Sequence, residues 1–346
     1  MSSQPTLSVI IPTYNRKELL LDCLDSLAGQ SYPKERFDVI VVDDGSTDGT
    51  EEIAGGHLPF TLHYIRQAKK GDAAARNLAA RQSNMEYLVL LDDDMVVETD
   101  YLASLLAEHG SSGGKMVVGT EYLWLADSNP LESASRLAPE LVDGCPSSVE
   151  HPFAEVSSRN MSLRRQDYHA VGLMDGFGFQ GSNIWCDVDF AYRAYRLGFV
   201  FRRSLRAICY HRDYVARDMS NAKRRAREMS YRAVVMFQKH PDLLPYLPMF
   251  QDKTAVAWRN DPPALIAHKL LRPVASSRPI LSGMEKLEER LERHHASPTL
   301  LRPLRRWILG GYHYRGFRDG MRDFEPAAGQ NNGDPPDRPG HFEYRS

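Results

Sequence analysis

The sequence lacks the features that mark several classes of protein. Four of its 346 residues are cysteine, and no two of them form a C-x-x-C pair, which argues against a disulfide scaffold and a zinc ribbon. No stretch approaches the roughly 18 consecutive apolar residues that a membrane-spanning helix needs. The first residues carry no basic segment ahead of an apolar run, so no signal peptide is predicted. The sequence therefore predicts a globular protein with reduced thiols, located in the cytoplasm.

Neither sign of charge dominates the chain. The 43 Lys and Arg residues nearly balance the 45 Asp and Glu residues, which leaves a net charge of −2. Because there is no bulk positive field, a nucleic-acid partner is not expected. No G-x-x-x-x-G-K-[ST] motif occurs, and no G-x-G-x-x-G follows the first apolar run. A P-loop and a dinucleotide-binding fold are therefore disfavoured.

The first hundred residues alternate between two hydrophobic periods. Helical periodicity begins after Asn15, where Glu18 three positions on predicts a capping pair, and it returns from about residue 50 and over residues 73–83. Short apolar runs between these segments are typical of buried strands. They lie at residues 7–11, 37–42, 62–65 and 87–91. Strand and helix in alternation predict an α/β fold, with a mostly parallel sheet flanked by helices.

The pattern weakens beyond Asp100. Residues 125–156 show no clear period and are predicted to be a loop with one short helix, and the composition after Glu325 is that of a disordered tail. Helices are predicted over residues 100–109, 187–197, 215–238 and 283–295, and strands over 116–122 and 207–210.

Polar groups follow three of the predicted strands. They are Pro12, Thr13, Tyr14 and Asn15 after the first, Asp43 and Asp44 after the second, and Asp92, Asp93 and Asp94 after the fourth. Ligands of open parallel sheets bind beyond the carboxyl ends of the strands. Carboxylates at alternate positions there suit a hard divalent cation that bridges the phosphates of a nucleotide. The alternative is an acidic turn left in solvent.

Two further loops allow a functional and a structural interpretation. Asp44 either accepts a hydrogen bond from a nucleobase or lies in a turn that starts the next helix. Gly71 opens a helix whose backbone N–H groups, together with Arg76, either approach a phosphate or form an ordinary helix start.

The order of these motifs closely resembles that of family 2 glycosyltransferases with the GT-A fold. The resemblance covers about residues 5–215. It rests on residues 8–16, 41–50, 71–77 and 90–94, and it continues through 159–165, 171–175, 187–190, Gly198 and 210–211. It implies a GT-A catalytic domain over residues 1–215, with a nucleotide-sugar part at 1–122 and an acceptor and base part at 123–215. Residues 216–325 would then form a helical extension and 326–346 a disordered tail.

The resemblance also assigns roles to residues. It implies that Asp94 contacts a divalent metal, Mn²⁺ or Mg²⁺, and that His211 supplies a further ligand, although a structural hydrogen bond is the alternative for this histidine. It implies that a nucleoside-diphosphate sugar is the donor, with UDP as the expected nucleotide. The residues expected at the donor are Pro12, Thr13, Tyr14, Asn15, Asp44, Gly71, Arg76, Asp92 and Asp93.

The catalytic base implied by the resemblance is Asp187. Relatives carry a Glu-Asp pair at this point, whereas here Cys186 replaces the glutamate. Asp189 is a second candidate, but on a helix it would face away from Asp187. The alternative for both is that acidic residues in a first helical turn stabilise the helix dipole. The expected reaction is a single displacement that inverts configuration at the anomeric carbon.

The C-terminal half is basic. Residues 202–232 contain ten Lys and Arg against three acidic residues, which indicates either a solvated helix face or a surface for an anionic acceptor, a diphosphate or membrane headgroups. Residues 300–321 are rich in arginine and aromatics and either lie on a bilayer surface or pack onto the catalytic domain. The Q-x-x-R-W motif of processive synthases is absent. The expected acceptor is therefore a glycan, a lipid-linked molecule or a small molecule that receives one or a few sugars.

Two other functions compete with this interpretation. A catalytically inactive module that binds a sugar nucleotide is favoured by Cys186 in place of the glutamate. A nucleotidyltransferase would need a glycine-rich, basic loop after the first strand, which residues 12–16 do not provide. The sequence predicts neither the donor sugar, nor the acceptor, nor the oligomeric state.

Overall fold

A computed structural model describes residues 4–110, 114–123, 146–178, 184–212 and 218–324. These residues divide into two compact units, one made of residues up to 212 and the other of residues 218–324. Residues 125–145 of the predicted loop and the predicted tail lie outside the described residues. The rest of the predicted loop, residues 146–156, contains a short 3₁₀ helix (Phe153–Glu155) and also a strand (Ser148–Glu150) that the sequence did not predict, because it forms by pairing with a distant strand.

The first unit is built on one sheet. Its strands are β1 (Leu7–Thr13), β2 (Phe37–Asp43), β3 (Thr61–Arg66), β4 (Tyr87–Leu91), β5 (Met95–Val97), β6 (Lys115–Leu123), β7 (Ser148–Glu150), β8 (Asn160–Arg164) and β9 (Val200–His211). Their order across the sheet is β3-β2-β1-β4-β8-β6-β9-β5, with β7 paired to β9. Of these nine described strands, β5, β7 and β8 run opposite to the other six. The prediction of a mostly parallel sheet is confirmed.

Helices flank the sheet and make up most of the second unit. In the first unit they are α1 (Lys17–Ala28), α2 (Asp72–Gln82), α3 (Tyr101–Ala107), α4 (Arg165–Val171) and α5 (Cys186–Arg196). In the second unit they are α6 (Met219–Lys239), α7 (Pro263–Ala275), α8 (Arg278–Arg293) and α9 (Pro298–Asp323).

Burial explains why the first strands read as continuous apolar runs. Every residue of β1, β2 and β4 is buried, as expected for parallel strands covered on both faces. The apolar stripe of α1 packs on this sheet through Leu20, Cys23, Leu24 and Leu27. This is the face that the helical period of the sequence predicts.

The structure differs from the predicted start of α1. Asn15 does not cap the helix, because its backbone is left-handed (φ 52°) and its side-chain oxygen accepts a hydrogen bond from the Thr47 N–H at 2.7 Å. The helix begins at Lys17, whose N–H donates to Asp48 Oδ2 at 3.0 Å. A carboxylate from the loop after β2 therefore supplies the cap that the local sequence pattern assigned to Asn15.

Other differences come from long-range pairing. The segment after residue 50 is a short 3₁₀ helix (Thr50–Gly55), and the strand predicted at 207–210 extends over all of β9. The weakly patterned strand β8 pairs antiparallel with both β4 and β6, so it joins the two halves of the sheet. Local hydrophobic period does not predict such a strand, since its partners lie 40 or more residues away in the chain.

In the second unit, glycines let two helices approach closely. A Cβ added at Gly316 of α9 would lie 2.0 Å from the backbone oxygen of Arg227 in α6, and one at Gly320 would lie 2.6 Å from that of Tyr231. Residues with side chains could not replace them without moving the helices apart. None of the described helices is long and apolar enough to cross a membrane.

Candidate active site

The loop after β4 carries an acidic triplet, Asp92, Asp93 and Asp94. Asp93 accepts hydrogen bonds from Thr13 Oγ1 at 2.8 Å and from Arg16 Nη1 at 3.1 Å. The same Arg16 nitrogen donates to Asp94 Oδ2 at 2.9 Å. The end of β1 and the end of β4 are thus joined by polar contacts, as expected for neighbouring parallel strands.

A chain of charged groups leads away from Asp94. His211 Nε2, at the end of β9, lies 3.4 Å from Asp94 Oδ2, and His211 Nδ1 lies 3.3 Å from Glu121 Oε1. Arg159 Nε donates to the other oxygen of Glu121 at 2.8 Å. His211 is therefore held between two carboxylates, and one of them orients its ring towards Asp94.

These neighbouring charged groups shift one another's pKa values. Burial disfavours protonation of His211, but hydrogen bonds to Asp94 and Glu121 outweigh burial and raise its pKa to about 9. Burial also works against the charge on Asp94, but His211 and Arg16 lower its pKa nevertheless. Asp93 behaves differently, because burial and the neighbouring carboxylates raise its pKa to about 7.

Asp94 and His211 fit one side of a divalent-cation site. Asp94 Oδ1 is buried and has no hydrogen-bond partner, which leaves an unsatisfied oxygen of the kind a hard cation binds. Glu121 behind His211 matches the carboxylate that typically orients a metal-binding histidine. Among the described residues, no three His, Cys, Asp or Glu side chains form a ready-made metal cluster. Water molecules and the phosphates of a nucleotide are the ligands that usually complete such a magnesium site.

Asp92 faces a different neighbour. Its Oδ1 is ion-paired with Arg76 Nη2, and Arg76 Nη1 donates to Asp72 at 2.9 Å. Arg76 is 1% exposed, so its charge is held almost entirely by these two carboxylates. The Gly71 N–H donates to Asp44 Oδ2 at 2.8 Å. The contribution of Arg76 and Gly71 to donor binding stays a prediction.

Asp44 is anchored by the loop that follows β3. Its Oδ1 accepts from the Lys70 N–H and from Gln67 Nε2, both at 2.7 Å, in addition to the Gly71 contact on Oδ2. Oδ2 keeps one lone pair for a ligand, because a carboxylate oxygen accepts two hydrogen bonds. The backbone N–H groups of Lys70 and Gly71 hold the carboxylate in place.

The loop after β1 presents an exposed aromatic ring. Lys69 Nζ lies 3.5 Å from the centre of the Tyr14 ring, a cation–π contact that joins this loop to the one that follows β3. Asn15 connects the same region to the loop after β2, through the contacts to Ser46 and Thr47. Pro12 is buried inside β1. Three loops therefore meet around Tyr14, at the carboxyl ends of β1, β2 and β3.

Asp187 lies in the first turn of α5. The residue two positions before it, Trp185, is buried and has a left-handed backbone (φ 79°), a strained conformation of a kind that clusters at functional sites. Burial raises the pKa of Asp187, and the charges of Arg76 and Arg159 oppose this shift. Asp187 therefore shares its electrostatic environment with Asp92, because Arg76 and Arg159 act on both carboxylates.

The neighbours of Asp187 have other roles. Cys186 is 2% exposed, and burial raises the pKa of its thiol well above the usual value, so the thiol stays neutral. Asp189 is fully buried and pairs with Arg193 at 2.8 Å, and Arg193 in turn donates to the backbone oxygens of Val171 and Gly172. Asp189 is thus part of a structural ion pair that ties α5 to the end of α4.

Several residues of the site carry no role in the sequence interpretation. Arg16, Lys69 and Glu121 contact predicted site residues, and Arg159 contacts Glu121. Arg16 and Arg159 lie inside the motifs that carry the family resemblance, which is a sequence signal that could have placed them near the site. Glu121 stands in a strand of ordinary composition, and only the sheet order brings it to His211.

Comparisons with known proteins identify relatives of this chain. The model of glycosyl transferase family 2 matches residues 8–171. A validoxylamine A glucosyltransferase of Streptomyces hygroscopicus subsp. limoneus is 31% identical over 278 residues, which cover 71% of this chain and 59% of that protein. A glycosyltransferase (AglE) of Haloferax volcanii is 37% identical over 124 residues, 34% of this chain and 40% of that protein. The chain thus spans less than two thirds of these relatives.

A solved structure is similar over most of the chain. It is that of a mannosyltransferase from Pyrobaculum calidifontis in complex with GDP-Man and Mn²⁺. The match has a TM-score of 0.58 at 19% identity and covers 94% of this chain and 89% of the other. At this identity the similarity shows the fold.

Proposed function

Residues 8–171 belong to glycosyl transferase family 2 and have its GT-A fold, and on that premise we propose that the protein transfers a sugar from a nucleoside-diphosphate sugar to an acceptor hydroxyl. The observation that carries the proposal is the grouping of three elements. These are Asp94 with its unpaired buried oxygen, His211 beside it, and Asp187, whose charge acts on the same Arg76 and Arg159 as that of Asp92.

Asp187 is the base of the proposed reaction. Its carboxylate takes the proton of the acceptor hydroxyl while that oxygen forms a bond to the anomeric carbon. The bond from this carbon to the diphosphate oxygen breaks on the opposite face, and the diphosphate leaves with the electron pair. One displacement of this kind inverts the configuration. A positioned base contributes roughly 10²–10⁴-fold to the rate.

Asp94 and His211 are the residues that would hold a divalent cation, Mn²⁺ or Mg²⁺. When bound, the cation neutralises the negative charge that develops on the departing diphosphate. Glu121 holds the ring of His211 in place, and Arg159 holds Glu121. The proton on His211 would be released when a cation binds, because a histidine ligand must be neutral.

The donor occupies the carboxyl ends of β1, β2 and β4 in this proposal. Tyr14 and Asp44 recognise the base, with uridine as the proposed nucleotide, and Asp92 contacts the ribose or the sugar. A donor complex with GDP-Man is known for the Pyrobaculum neighbour, so guanosine is the first alternative to test. The proposed acceptor is a carbohydrate, a lipid-linked molecule or a small molecule, and the glucosyltransferase relative named for validoxylamine A favours the last.

We propose the cytoplasm as the location, because the three described cysteines, Cys23, Cys186 and Cys209, are all free thiols and reduced thiols persist there. A second candidate function is a sugar-nucleotide-binding module without catalysis. The specific observation in its favour is the neutral, buried Cys186 next to Asp187.

The deciding experiment measures binding and turnover separately. Thermal shift and calorimetry with UDP- and GDP-sugars, each with and without Mn²⁺, should reveal one nucleotide that stabilises the native state. Asp94→Asn should abolish the metal-dependent part of binding, whereas Asp25→Asn, at an exposed position of α1, should not.

Turnover then separates the two functions. Slow release of nucleoside diphosphate from the bound sugar nucleotide supports the transferase. Binding without release, across carbohydrate, lipid-linked and small-molecule acceptors, would favour the module. No binding of any sugar nucleotide would contradict both.

A further inference from the structure

Helix α7 in the second unit has basic side chains on its buried face and apolar side chains on its exposed face. Its two strongly basic residues point inward. Lys269 is 8% exposed and donates to Asp261 Oδ2 at 2.6 Å and to the Ala255 oxygen at 3.0 Å. Arg272 donates to the Gly310 oxygen at 2.9 Å and lies 3.3 Å from Asp252. In a surface helix of a water-soluble protein, such side chains usually face the solvent.

The outward face of α7 is apolar. Leu270, Leu271 and Val274 are 53%, 64% and 62% exposed and lie within one 100° sector of the helix. Only one of the eight exposed residues of α7, His268, has an ionisable side chain. The others are Pro263, Ala264, Ala267, Leu270, Leu271, Pro273 and Val274. Large apolar side chains exposed together on one helix face are typical of interaction sites.

An exposed tryptophan extends this face. Trp307 of α9 is 45% exposed, and its Nε1–H donates to the Ala275 oxygen at 3.4 Å, which places its indole at the C-terminal end of α7. We refer to Leu270, Leu271, Val274 and Trp307 as the α7 patch. Tryptophan combines an apolar ring with a polar N–H, and it is enriched where protein meets the boundary between lipid and water.

Basic side chains adjoin the α7 patch in the chain. Arg278 follows α7 by three residues, and Arg306 immediately precedes Trp307; both are exposed. Neither forms an ion pair or a hydrogen bond within the part of the chain that the structure describes. The second unit as a whole is basic, because its described residues 218–324 contain 20 Lys and Arg against 11 Asp and Glu, although the full chain has a net charge of −2.

We propose that the α7 patch docks onto the surface of an anionic lipid bilayer. The apolar side chains enter the boundary between headgroups and acyl chains, and Arg278 and Arg306 pair with lipid phosphates. Interfacial binding of this kind combines buried apolar area with attraction to anionic lipid. The inference does not depend on the proposed glycosyl transfer.

The same charges disfavour a second copy of the chain as the occupant. In a symmetric dimer, each α7 patch would face its own equivalent. Arg278 and Arg306 would then approach the same residues of the partner subunit, within two units that each carry a net charge of +9. Like charges placed together at an interface oppose association.

The test uses the full-length protein and vesicles of defined composition. Flotation with phosphatidylcholine vesicles that contain 0% or about 30% phosphatidylglycerol should show binding only to the anionic vesicles. Leu271→Ser/Val274→Ser should weaken binding about tenfold or more, because it removes apolar area that enters the bilayer. Arg278→Gln/Arg306→Gln should have an effect of similar size, since each basic residue near the surface contributes about 1 kcal/mol. The matched controls Leu197→Ser and Arg81→Gln, at exposed sites of the first unit, should bind as the wild type does.

A second readout reports on geometry. Brominated lipids should quench tryptophan fluorescence in the wild type, and Trp307→Phe should remove a large part of this quenching. Light scattering after gel filtration tests whether a second copy of the chain covers the α7 patch instead of a bilayer. A wild-type dimer that Leu271→Ser/Val274→Ser converts to a monomer would overturn the proposal, and so would vesicle binding that the patch variants leave unchanged, or the absence of binding to anionic vesicles.

Discussion

Arg16 Nη1 lies 2.9 Å from Asp94 Oδ2 and 3.1 Å from Asp93 Oδ1, so one guanidinium contacts two carboxyl groups of the acidic triplet. This arrangement leaves Asp94 Oδ1 as the oxygen without a partner. Arg16 itself is exposed and can move without disturbing the core. We infer that it acts as the counter-ion of the triplet whenever no cation is bound there.

This relationship predicts how Arg16 affects cation binding. Arg16→Gln removes a positive charge beside Asp94, so Mn²⁺ should bind more tightly in the absence of nucleotide. The gain should be about two- to fivefold, because a partly exposed ion pair contributes at most about 1 kcal/mol. Calorimetric titration with Mn²⁺ measures it, with Arg81→Gln as the control. Unchanged or weaker binding would show that Arg16 does not compete with a cation.

Asp187 provides the second prediction. Asp187→Asn should lower kcat by roughly 10²–10⁴-fold, because an amide cannot take up the acceptor proton, while the affinity for the donor nucleotide remains that of the wild type. Asp25→Asn is the control for a change of one exposed charge. Turnover close to wild type in Asp187→Asn would remove this residue from the role of base.

The pH dependence of turnover tests the same carboxylate. Burial raises the pKa of Asp187 above the ordinary aspartate value of 3.8. Since the base must be ionised, kcat should fall on the acid side with a midpoint above pH 3.8. An acid limb at or below this pH would mean that another group accepts the proton.

The sequence predicts the parts of this protein that depend on local pattern. The strands β1, β2 and β4 read as apolar runs because they are buried on both faces, and the triplet stands directly after β4. The contacts that the sequence could not predict depend on the order of the strands in the sheet and on which loops meet. Glu121 reaches His211 only because β6 pairs parallel with β9, and Asp48 caps α1 only because two loops meet. The prediction that Asn15 caps α1 is wrong for the same reason, since a capping pattern contains no information about a competing partner from another loop.

Close packing of α6 and α9 gives a prediction about stability. Gly316→Ala would place a methyl group 2.0 Å from the Arg227 backbone oxygen, so the helices must separate. We expect a loss of about 1–3 kcal/mol in the free energy of unfolding, typical of an overpacked interior. Gly283→Ala in α8 is the matched control, because the added methyl meets nothing within 4 Å beyond its chain neighbours and the adjacent backbone of its own helix.

The free energy of unfolding of the control variant, Gly283→Ala, should increase. Alanine in place of an unhindered helical glycine stabilises by about 0.4–1 kcal/mol through the unfolded state. Thermal and urea unfolding of both variants measure the difference. If Gly316→Ala were as stable as Gly283→Ala, the close contact between α6 and α9 would not exist in solution.

His109 predicts how stability depends on pH. It is 1% exposed, its Nε2 lies 2.8 Å from Ser162 Oγ, and burial lowers its pKa to about 3. The unfolded chain binds this proton near pH 6.5, whereas the folded protein does not, so stability is lost as the pH falls below about 6.5. Between pH 6.5 and 4.5 this histidine alone should cost about 2–3 kcal/mol. His109→Gln can keep the hydrogen bond to Ser162 but cannot bind the proton, so urea unfolding at the two pH values should show a smaller loss than in the wild type. The exposed His57→Gln should keep the full loss, and an undiminished loss in His109→Gln would assign the acid sensitivity to other groups.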